Sequence, residues 1–357
     1  MIDVFTKFVS LHHAKIKKYK FKKNVLEKIE RKKMLKRFLQ IISPLLLGGG
    51  GLVWIYKDFN FQRVGEFLSG DMNYFWMFTS LVFGVLATVF RGLRWKLALE
   101  PLGENPKTAN CIYAIFISYA SSLIIPRVGE VTRCGILAKY DHVSFSKSLG
   151  TVVSERMVDT LCVGVLGGLV LLLQLPMFLM FFDKTDTNVQ RYLGILTSEN
   201  FLYVIICVLG IVLLGFFLIR NIALFAKLKG ILQNVWQGIV ALKDIKHIPL
   251  YIIYSLGIWM SYFFEFYLAF FAFDFSAHLG ISAALVMFVV GTLAVIVPTP
   301  NGAGPWHFAV MTMMMLYGVG KEDAGIFALL VHGIQTFLLI LLGIYGLLAL
   351  PFTNKTK

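Results

Sequence analysis

Long apolar runs separated by short polar segments dominate this chain. Several runs exceed the roughly 18–20 residues that a helix needs to cross a hydrocarbon core about 30 Å thick. They are rich in glycine and lack strict alternation of apolar and polar positions, so they predict membrane-spanning helices and not the strands of a barrel. The predicted full spans cover residues 38–56, 75–96, 148–182, 201–219, 249–273 and 324–350. The pattern therefore predicts an all-α, polytopic helical membrane protein.

Two further apolar segments are interrupted by proline and glycine. The first break lies at residues 126–129 and the second at residues 298–305. Each segment is predicted to leave the membrane on the side from which it entered. It does so either as a re-entrant hairpin or as two full spans, and the sequence leaves both options open. The fold prediction is accordingly about six full spans plus two broken hairpins, or eight or more spans.

The two breaks occupy matching places in two halves of the chain, repeat A (residues 75–182) and repeat B (residues 248–350). Pro126 and Pro298 are separated by a certain number of residues. The spans that precede the two breaks are separated by nearly the same number, and so are the spans that follow them. Proline and glycine are common in membrane helices, so one break alone is weak support. Matched flanks with an odd number of crossings between them predict an inverted repeat, which is typical of transporters with a site near the midplane.

The distribution of charge indicates how the chain meets the membrane. Only 15% of the residues are charged and 57% are hydrophobic, whereas ordinary globular domains are about 25% charged. Of the net charge of +14, residues 1–37 carry +10, from thirteen Lys and Arg against three Asp and Glu. This basic tail predicts a cytoplasmic segment attracted to an anionic membrane surface, and not a nucleic-acid-binding protein.

The loops between spans alternate in charge, which places both the N- and the C-terminus in the cytoplasm. In this scheme Arg91 and Arg94 are cytoplasmic charges at the end of the second span. Residues 220–247 show apolar positions at helical spacing among lysines, and they predict an amphipathic helix in the cytoplasmic interface. We expect a multi-pass protein of the plasma membrane, which is the inner membrane in a Gram-negative bacterium.

Each break has a consequence for ligand binding. The second arm of each hairpin begins inside the membrane, so its free N–H groups and its positive dipole end predict an anion site there. Pro305 suits the first turn of such a helix. A phosphate group is the expected ligand.

The four cysteines (Cys111, Cys134, Cys162 and Cys207) are expected to be small buried residues, and the sequence predicts no metal site, cofactor or catalytic motif.

Ionisable residues cluster around the first break, although each costs at least about 2.5–3.5 kcal/mol at the bilayer centre. Glu130 and Arg133 are three residues apart, so we expect them to pair on one helix face. Arg127 is then left for a ligand or a distant acid.

A second charged group begins the long helix that follows. Glu155 and Asp159 share a helix face, and Arg156 is placed to pair with Asp159. The alternative interpretation of this group is a solvated, interfacial start of the helix.

In repeat B, three polar positions stand out. Glu265 lies in an apolar and aromatic run, where it predicts a partner for an arginine or a residue lining a cavity. His307 follows the second break. His332 and Gln335 are three residues apart in the last span, and a membrane histidine is more often a hydrogen-bonded packing group than a proton relay.

Three motifs, in this order, resemble those of a known family. They are Pro126-Arg127-Val128-Gly129-Glu130-Val131-Thr132-Arg133, Glu155-Arg156-Met157-Val158-Asp159 and Pro298-Thr299-Pro300-Asn301-Gly302-Ala303-Gly304. The resemblance, which covers roughly Phe75 to Leu350, is to the flippase-like transmembrane domain first named for lysylphosphatidylglycerol synthases. It implies lipid translocation. In two-domain members a soluble domain makes an aminoacylated lipid from aminoacyl-tRNA, and we expect neither that activity nor a tRNA partner here.

Two positions depart from the family pattern. Asn301 stands in place of a glycine of the turn, and His307 stands where many relatives have an acid, which puts acid-based proton coupling there in doubt. A histidine would serve the same purpose.

The predicted function is a lipid flippase or transporter for an anionic or phosphate-bearing lipid. The alternatives are a membrane enzyme that modifies lipids and an accessory subunit of another membrane enzyme. The lipid, the energy source and the oligomeric state are left open. The predicted substrate-binding residues are Arg127, Gly129, Glu130, Arg133, Glu155, Arg156, Asp159, Glu265, Pro298, Pro300, Asn301, Gly302, Gly304 and His307.

Overall fold

The computed structural model describes residues 42–174 and 240–354, together with residues 233 and 236. All regular structure within this part of the chain is helical. The principal helices are α1 (Ile42–Tyr56), α2 (Phe61–Glu66), α3 (Tyr74–Leu99), α4 (Thr108–Ile124), α5 (Val128–Tyr140), α6 (Phe145–Leu173), α7 (Ile248–Leu268), α8 (Ile281–Ala294), α9 (Pro305–Leu316) and α10 (Lys321–Thr353).

Within the described ranges, four helices, α3, α6, α7 and α10, are long and apolar enough to cross a membrane. This confirms the prediction of a polytopic helical membrane protein. The basic tail (residues 1–37), the span at residues 201–219 and most of the amphipathic segment 220–247 lie outside the described residues. The end of that segment contains a short 3-10 turn, Ala241–Asp244.

The first interruption separates α4 from α5, as the sequence predicts. Pro126 follows the end of α4, and Arg127 adopts a left-handed conformation with φ 65° before α5 begins. The two helices then pack closely against each other. Gly129 makes this approach possible, because a Cβ at this position would lie only 2.0 Å from the carbonyl oxygen of Ser118.

The second interruption lies between α8 and α9. Its turn contains three left-handed residues, Asn301 (φ 50°), Gly302 (φ 73°) and Gly304 (φ 89°). Asparagine is one of the few residues with a side chain that tolerates this conformation, so the departure from the glycine of the family pattern preserves the turn. Helix α1 packs against the turn, with Gly48 beside Ala303 and Gly304.

Repeats A and B show the same packing scheme. Helices α3 and α7 pack against each other in antiparallel fashion, with Gly84 beside Glu265 near one end of the contact and Arg94 beside Ser255 near the other. Helix α4 packs on α10, and its counterpart α8 packs on α6. In each repeat the two arms of the hairpin pack against each other, α4 with α5 and α8 with α9. The second arm also packs on the helix that follows it, α5 on α6 and α9 on α10. This arrangement brings residues of both repeats to the centre of the molecule.

Candidate functional site

A cluster of charged side chains joins α3 to α6 in repeat A. Arg91 donates from Nη1 to Oδ2 of Asp159 at 2.6 Å, and Arg94 donates from Nη2 to Oδ1 at 2.7 Å. Arg94 also donates to the hydroxyl of Ser255 on α7 at 3.3 Å. The three charged residues are all buried. Asp159 therefore links two arginines of one helix to the neighbouring helix in the interior.

A second buried pair extends the cluster to α5. Arg133 Nη1 lies 2.8 Å from Glu155 Oε2, and Arg94 Nε lies 3.5 Å from Glu155 Oε1. Neither contact has the alignment of a hydrogen bond, so both are ion pairs by distance and charge. The Arg133 guanidinium also lies over the ring of Trp95, 4.6 Å from its centre. The stacking gives this cation a second favourable contact.

These contacts correct three predictions. Glu130 does not pair with Arg133; it pairs with Arg156, at 2.8 Å from Oε1 to Nε, because Arg133 points inward to Glu155. Arg91 and Arg94 lie near the end of α3 as predicted, but they are not solvated, since both are buried against Asp159. The interpretation of the α6 start as a solvated group is also wrong, since Glu155 is fully buried. Glu155 and Asp159 share a face as predicted, and Arg156 lies 3.8 Å from Asp159.

The tip of the first hairpin differs from the predicted anion site. The amides of Val128 and Glu130 bind carbonyl oxygens of the turn, and the amide of Gly129 binds the Ser122 hydroxyl at 3.2 Å. The start of α5 therefore lacks the free N–H groups on which that prediction rested. The Arg127 side chain is exposed at the tip.

The start of α9 has a different environment. The amides of Trp306 and His307 find no acceptor among the described residues, since Pro305 begins the helix and the first intrahelical bond is made by Phe308. His307 is buried, and its ring centre lies 4.5 Å from that of His332. His332 in turn bonds the carbonyl oxygen of Asn301 at 2.9 Å. The second break thus holds His307 inside the protein as a packing group, and His332 is the histidine that forms hydrogen bonds.

A cavity of about 290 Å³ lies between the two repeats. Among the described residues that line it, Glu265 supplies the one carboxylate, and Asn301 and Gln335 supply the amides. The hydroxyls of Tyr119 and Tyr262, which also line the cavity, are hydrogen-bonded to each other at 2.7 Å. Because Tyr119 belongs to α4 and Asn301 to the second break, parts of both hairpins meet here.

A shallow groove runs along the outer face of α6. Its apolar wall consists of Val153, Met157, Leu161 and Val165, and Arg156 lies beside them. The Arg156 side chain is 48% exposed, and that of its partner Glu130 is 33% exposed. The charged cluster therefore reaches the surface at one point, where it borders an apolar stripe.

The structure divides the predicted site residues into separate groups. Glu130, Arg133, Glu155, Arg156 and Asp159 form the charged cluster, which also includes Arg91 and Arg94. Glu265 and Asn301 share the cavity. The remaining predicted residues have other positions: Pro300, Gly302 and Gly304 shape the second turn, Gly129 packs against α4, His307 is buried beside His332, and Arg127 and Pro298 are exposed.

Sequence reasoning missed Arg91 and Arg94 as members of the site. The available signal was their spacing of three residues, which places them on one face of a mostly apolar predicted span, where a charge needs a partner. No group of three or more metal-ligating side chains occurs in the described part of the chain. Cys111 and Cys134 are buried as predicted, Cys162 is only partly buried, and Cys207 lies outside that part.

Comparison with known proteins supports the assignment to a membrane family. The profile described as Lysylphosphatidylglycerol synthase TM region matches residues 40–343. The UPF0104 membrane protein MJ1078 of Methanocaldococcus jannaschii is 28% identical over 229 residues, which are 63% of this chain and 91% of that protein. The glycosyltransferase AglD of Haloferax volcanii is 28% identical over 103 residues, 29% of this chain and 16% of AglD. No solved structure shows a significant match.

Proposed function

This chain belongs to the family of the lysylphosphatidylglycerol synthase TM region, and from that membership we propose that it moves a phosphate-bearing lipid between the leaflets of the plasma membrane. Such a transporter must lower the cost of carrying a charged head group through hydrocarbon. It must also leave the acyl chains in the bilayer, because they gain nothing by entering a polar site. A polar site at membrane depth that is accessible from the surrounding lipid meets both requirements.

The pair formed by Arg156 and Glu130 carries this proposal. Arg156 lies eleven residues into α6, about 16 Å along the helix from its start. An exposed arginine at such a depth needs an anionic partner. Glu130 supplies one at 2.8 Å, and a phosphate oxygen forms the same kind of charge-assisted hydrogen bond. A lipid phosphate therefore takes the place of Glu130 on Arg156.

The groove beside Arg156 accommodates the rest of such a lipid. The exposed side chains of Val153, Met157, Leu161 and Val165 follow each other along α6 at intervals of four residues. This spacing places them in one stripe on the helix surface. Acyl chains lie along the stripe while the head group meets the arginine, and Arg127 on the hairpin tip, one turn before Glu130, attracts the same phosphate.

The re-entrant and inverted arrangement of the two hairpins belongs to the same proposal. The matched packing of the two repeats and the close α4–α5 approach at Gly129 support it. In transporters built from inverted repeats, one half rocks against the other around a central site. Repeat A then moves relative to repeat B along the α3–α7 contact.

A lipid-modifying enzyme is the second candidate. The similarity to a protein named as a glycosyltransferase favours it, although the match covers only 16% of that protein. Incubation of the purified chain with bacterial lipids and sugar nucleotides, followed by mass spectrometry, tests this candidate. A new lipid product supports the enzyme, whereas lipid movement without a product supports the transporter.

Lipid movement is measured in vesicles that contain the purified protein and phosphatidylglycerol with a fluorescent label. Dithionite destroys the label in the outer leaflet, so the later loss of fluorescence reports movement from the inner leaflet. We expect Arg156→Ala and Arg127→Ala each to slow this movement at least tenfold, and Arg156→Lys to retain most of it because the positive charge remains. Lys139→Ala, which removes an exposed charge at the other end of α5, serves as the matched control.

The insertion of each variant is checked by its yield and by a single symmetric peak in size-exclusion chromatography. An Arg156→Ala protein that inserts normally and moves the lipid at the wild-type rate contradicts the proposed path. A loss of movement in Lys139→Ala as large as that in Arg156→Ala also contradicts it, because the effect then follows from net charge alone.

A further inference from the structure

Glu265 is a carboxylate without a cationic partner among the residues that the structure describes. It lies on α7 and packs against Gly84 of α3. The absence of a side chain at Gly84 makes room for it, because a Cβ there would clash with Oε1 of Glu265. No ion pair or hydrogen bond joins it to another described residue, in contrast to Glu130, Glu155 and Asp159 in repeat A. Its carboxylate borders the cavity between the repeats.

The cavity offers neutral oxygen atoms and aromatic rings around this single negative charge. The side chains of Thr88, Thr292, Asn301 and Gln335 carry oxygen, and none of the described residues of the lining is Lys, Arg or His. Arg91 contacts the ring of Tyr262, which lines the cavity, but Arg91 is already bound to Asp159. His332 lies behind Asn301, to which it is bonded. Rings such as those of Trp259 and Trp306 add faces that attract cations.

The correspondence between the repeats shows what this site lacks. Helix α3 corresponds to α7, and α6 corresponds to α10. Counted from the start of each helix, Arg91 occupies the same position as Glu265, and Asp159 occupies the same position as Gln335. In repeat A the two positions hold a cation and an anion, which neutralise each other. In repeat B they hold a carboxyl group and a neutral amide, so the charge of Glu265 is balanced by a proton or by a cation that none of the described residues supplies.

The geometry points to a binding site for one monovalent cation in this cavity, with Glu265 as its counter-charge. One carboxylate balances one positive charge, whereas Ca²⁺ and Mg²⁺ sites commonly use several oxygen ligands with more negative charge. The charge is carried either by Na⁺ or by an ammonium group, and both suit a carboxylate surrounded by neutral oxygens. If the proposed function holds, this cation moves with or against the lipid, but its binding does not depend on lipid movement.

Direct binding to the purified full-length protein in detergent tests the site. Radioactive ²²Na⁺ and ¹⁴C-methylammonium are used separately, and retained label is measured at constant ionic strength. We expect one of the two to bind saturably with one ion per chain. Glu265→Gln is expected to lower its affinity at least tenfold. Glu66→Gln, which removes an exposed carboxylate of α2, is the matched control and is expected to bind as the wild type does.

A second variant keeps the test decisive if Glu265→Gln does not fold. Gln335→Ala removes a neutral ligand from the opposite wall and is expected to lower the affinity severalfold. The absence of saturable binding of either cation to the wild type overturns the inference, as does unchanged binding in a well-folded Glu265→Gln protein. Binding of ³²P-phosphate that strengthens in Glu265→Gln also overturns it, because the carboxylate then repels the true ligand. Lipid movement is assayed separately, so the two proposals fail independently.

Discussion

Burial distinguishes the two ion pairs that join α5 to α6. Arg133 and Glu155 are almost completely buried, whereas Arg156 and Glu130 are partly exposed. Removal of one partner from a buried pair leaves an uncompensated charge and costs roughly 3–5 kcal/mol. Loss of a partner from the partly exposed pair should cost less, because the charge that remains is less desolvated. The buried pair is therefore the more sensitive of the two to removal of one partner.

Replacement of each arginine should show this difference. We expect Arg133→Ala to lower the thermal unfolding midpoint in detergent by many degrees, or to abolish the folded protein, because Glu155 loses its closest partner. Arg156→Ala should change the midpoint little. A double variant, Arg133→Ala with Glu155→Ala, should recover part of the loss, since it leaves neither charge of this pair alone. Equal effects of the two single substitutions would contradict the assignment of the buried pair.

At the level of elements, the α4–α5 hairpin depends on a close contact between the backbones of its two helices. Gly129 faces Ser118 at the contact, whereas Gly135 on the same helix faces open space. Alanine generally stabilises an exposed helix position by about 0.5–1 kcal/mol relative to glycine. The two glycines of α5 should therefore respond to the same substitution in opposite directions.

We expect Gly129→Ala to lower the unfolding midpoint and the rate of lipid movement, since the new Cβ forces the hairpin apart. Gly135→Ala should leave lipid movement unchanged and preserve or raise the midpoint. Both effects are measured on purified protein by thermal unfolding and in the vesicle assay. A Gly129→Ala protein with wild-type stability would show that α4 and α5 do not approach as closely as the structure places them.

The helices and their interruptions were predictable because apolar length and proline positions act locally. Pro126 and Pro305 mark the end of one helix and the start of another. The structure places most described boundaries within a few residues of the prediction, but α6 ends at Leu173 and not at residue 182. The partners of the charged residues were not predictable from spacing. Glu130 and Arg133 are near neighbours along α5, yet Arg133 turns to a residue on another helix, and only tertiary packing determines that rotation.

At the level of the whole molecule, the two hairpins are predicted to open toward opposite sides of the membrane. This orientation places the end of α5 in the cytoplasm and the start of α10 outside. Lys139 and Lys321 are exposed at these two places. Their accessibility in cells therefore reports directly on the inverted arrangement.

Single cysteines at these positions, in a chain whose four native cysteines are replaced by alanine or serine, provide the measurement. We expect Lys321→Cys to react with a membrane-impermeant maleimide in intact spheroplasts. Lys139→Cys should react only after the membrane is disrupted. Labelling of both from the same side would show that the repeats are not inverted.

The contact between α1 and the second break bears on how small a working version of this protein can be. The backbones of Gly48 and Gly304 almost touch, since a Cβ on Gly304 would lie 3.1 Å from the Gly48 carbonyl oxygen. Irregular backbone at membrane depth survives only where protein or water covers it. A truncated chain that starts at Phe75 keeps both repeats but exposes this turn to hydrocarbon, so the smallest autonomous unit includes the first helix.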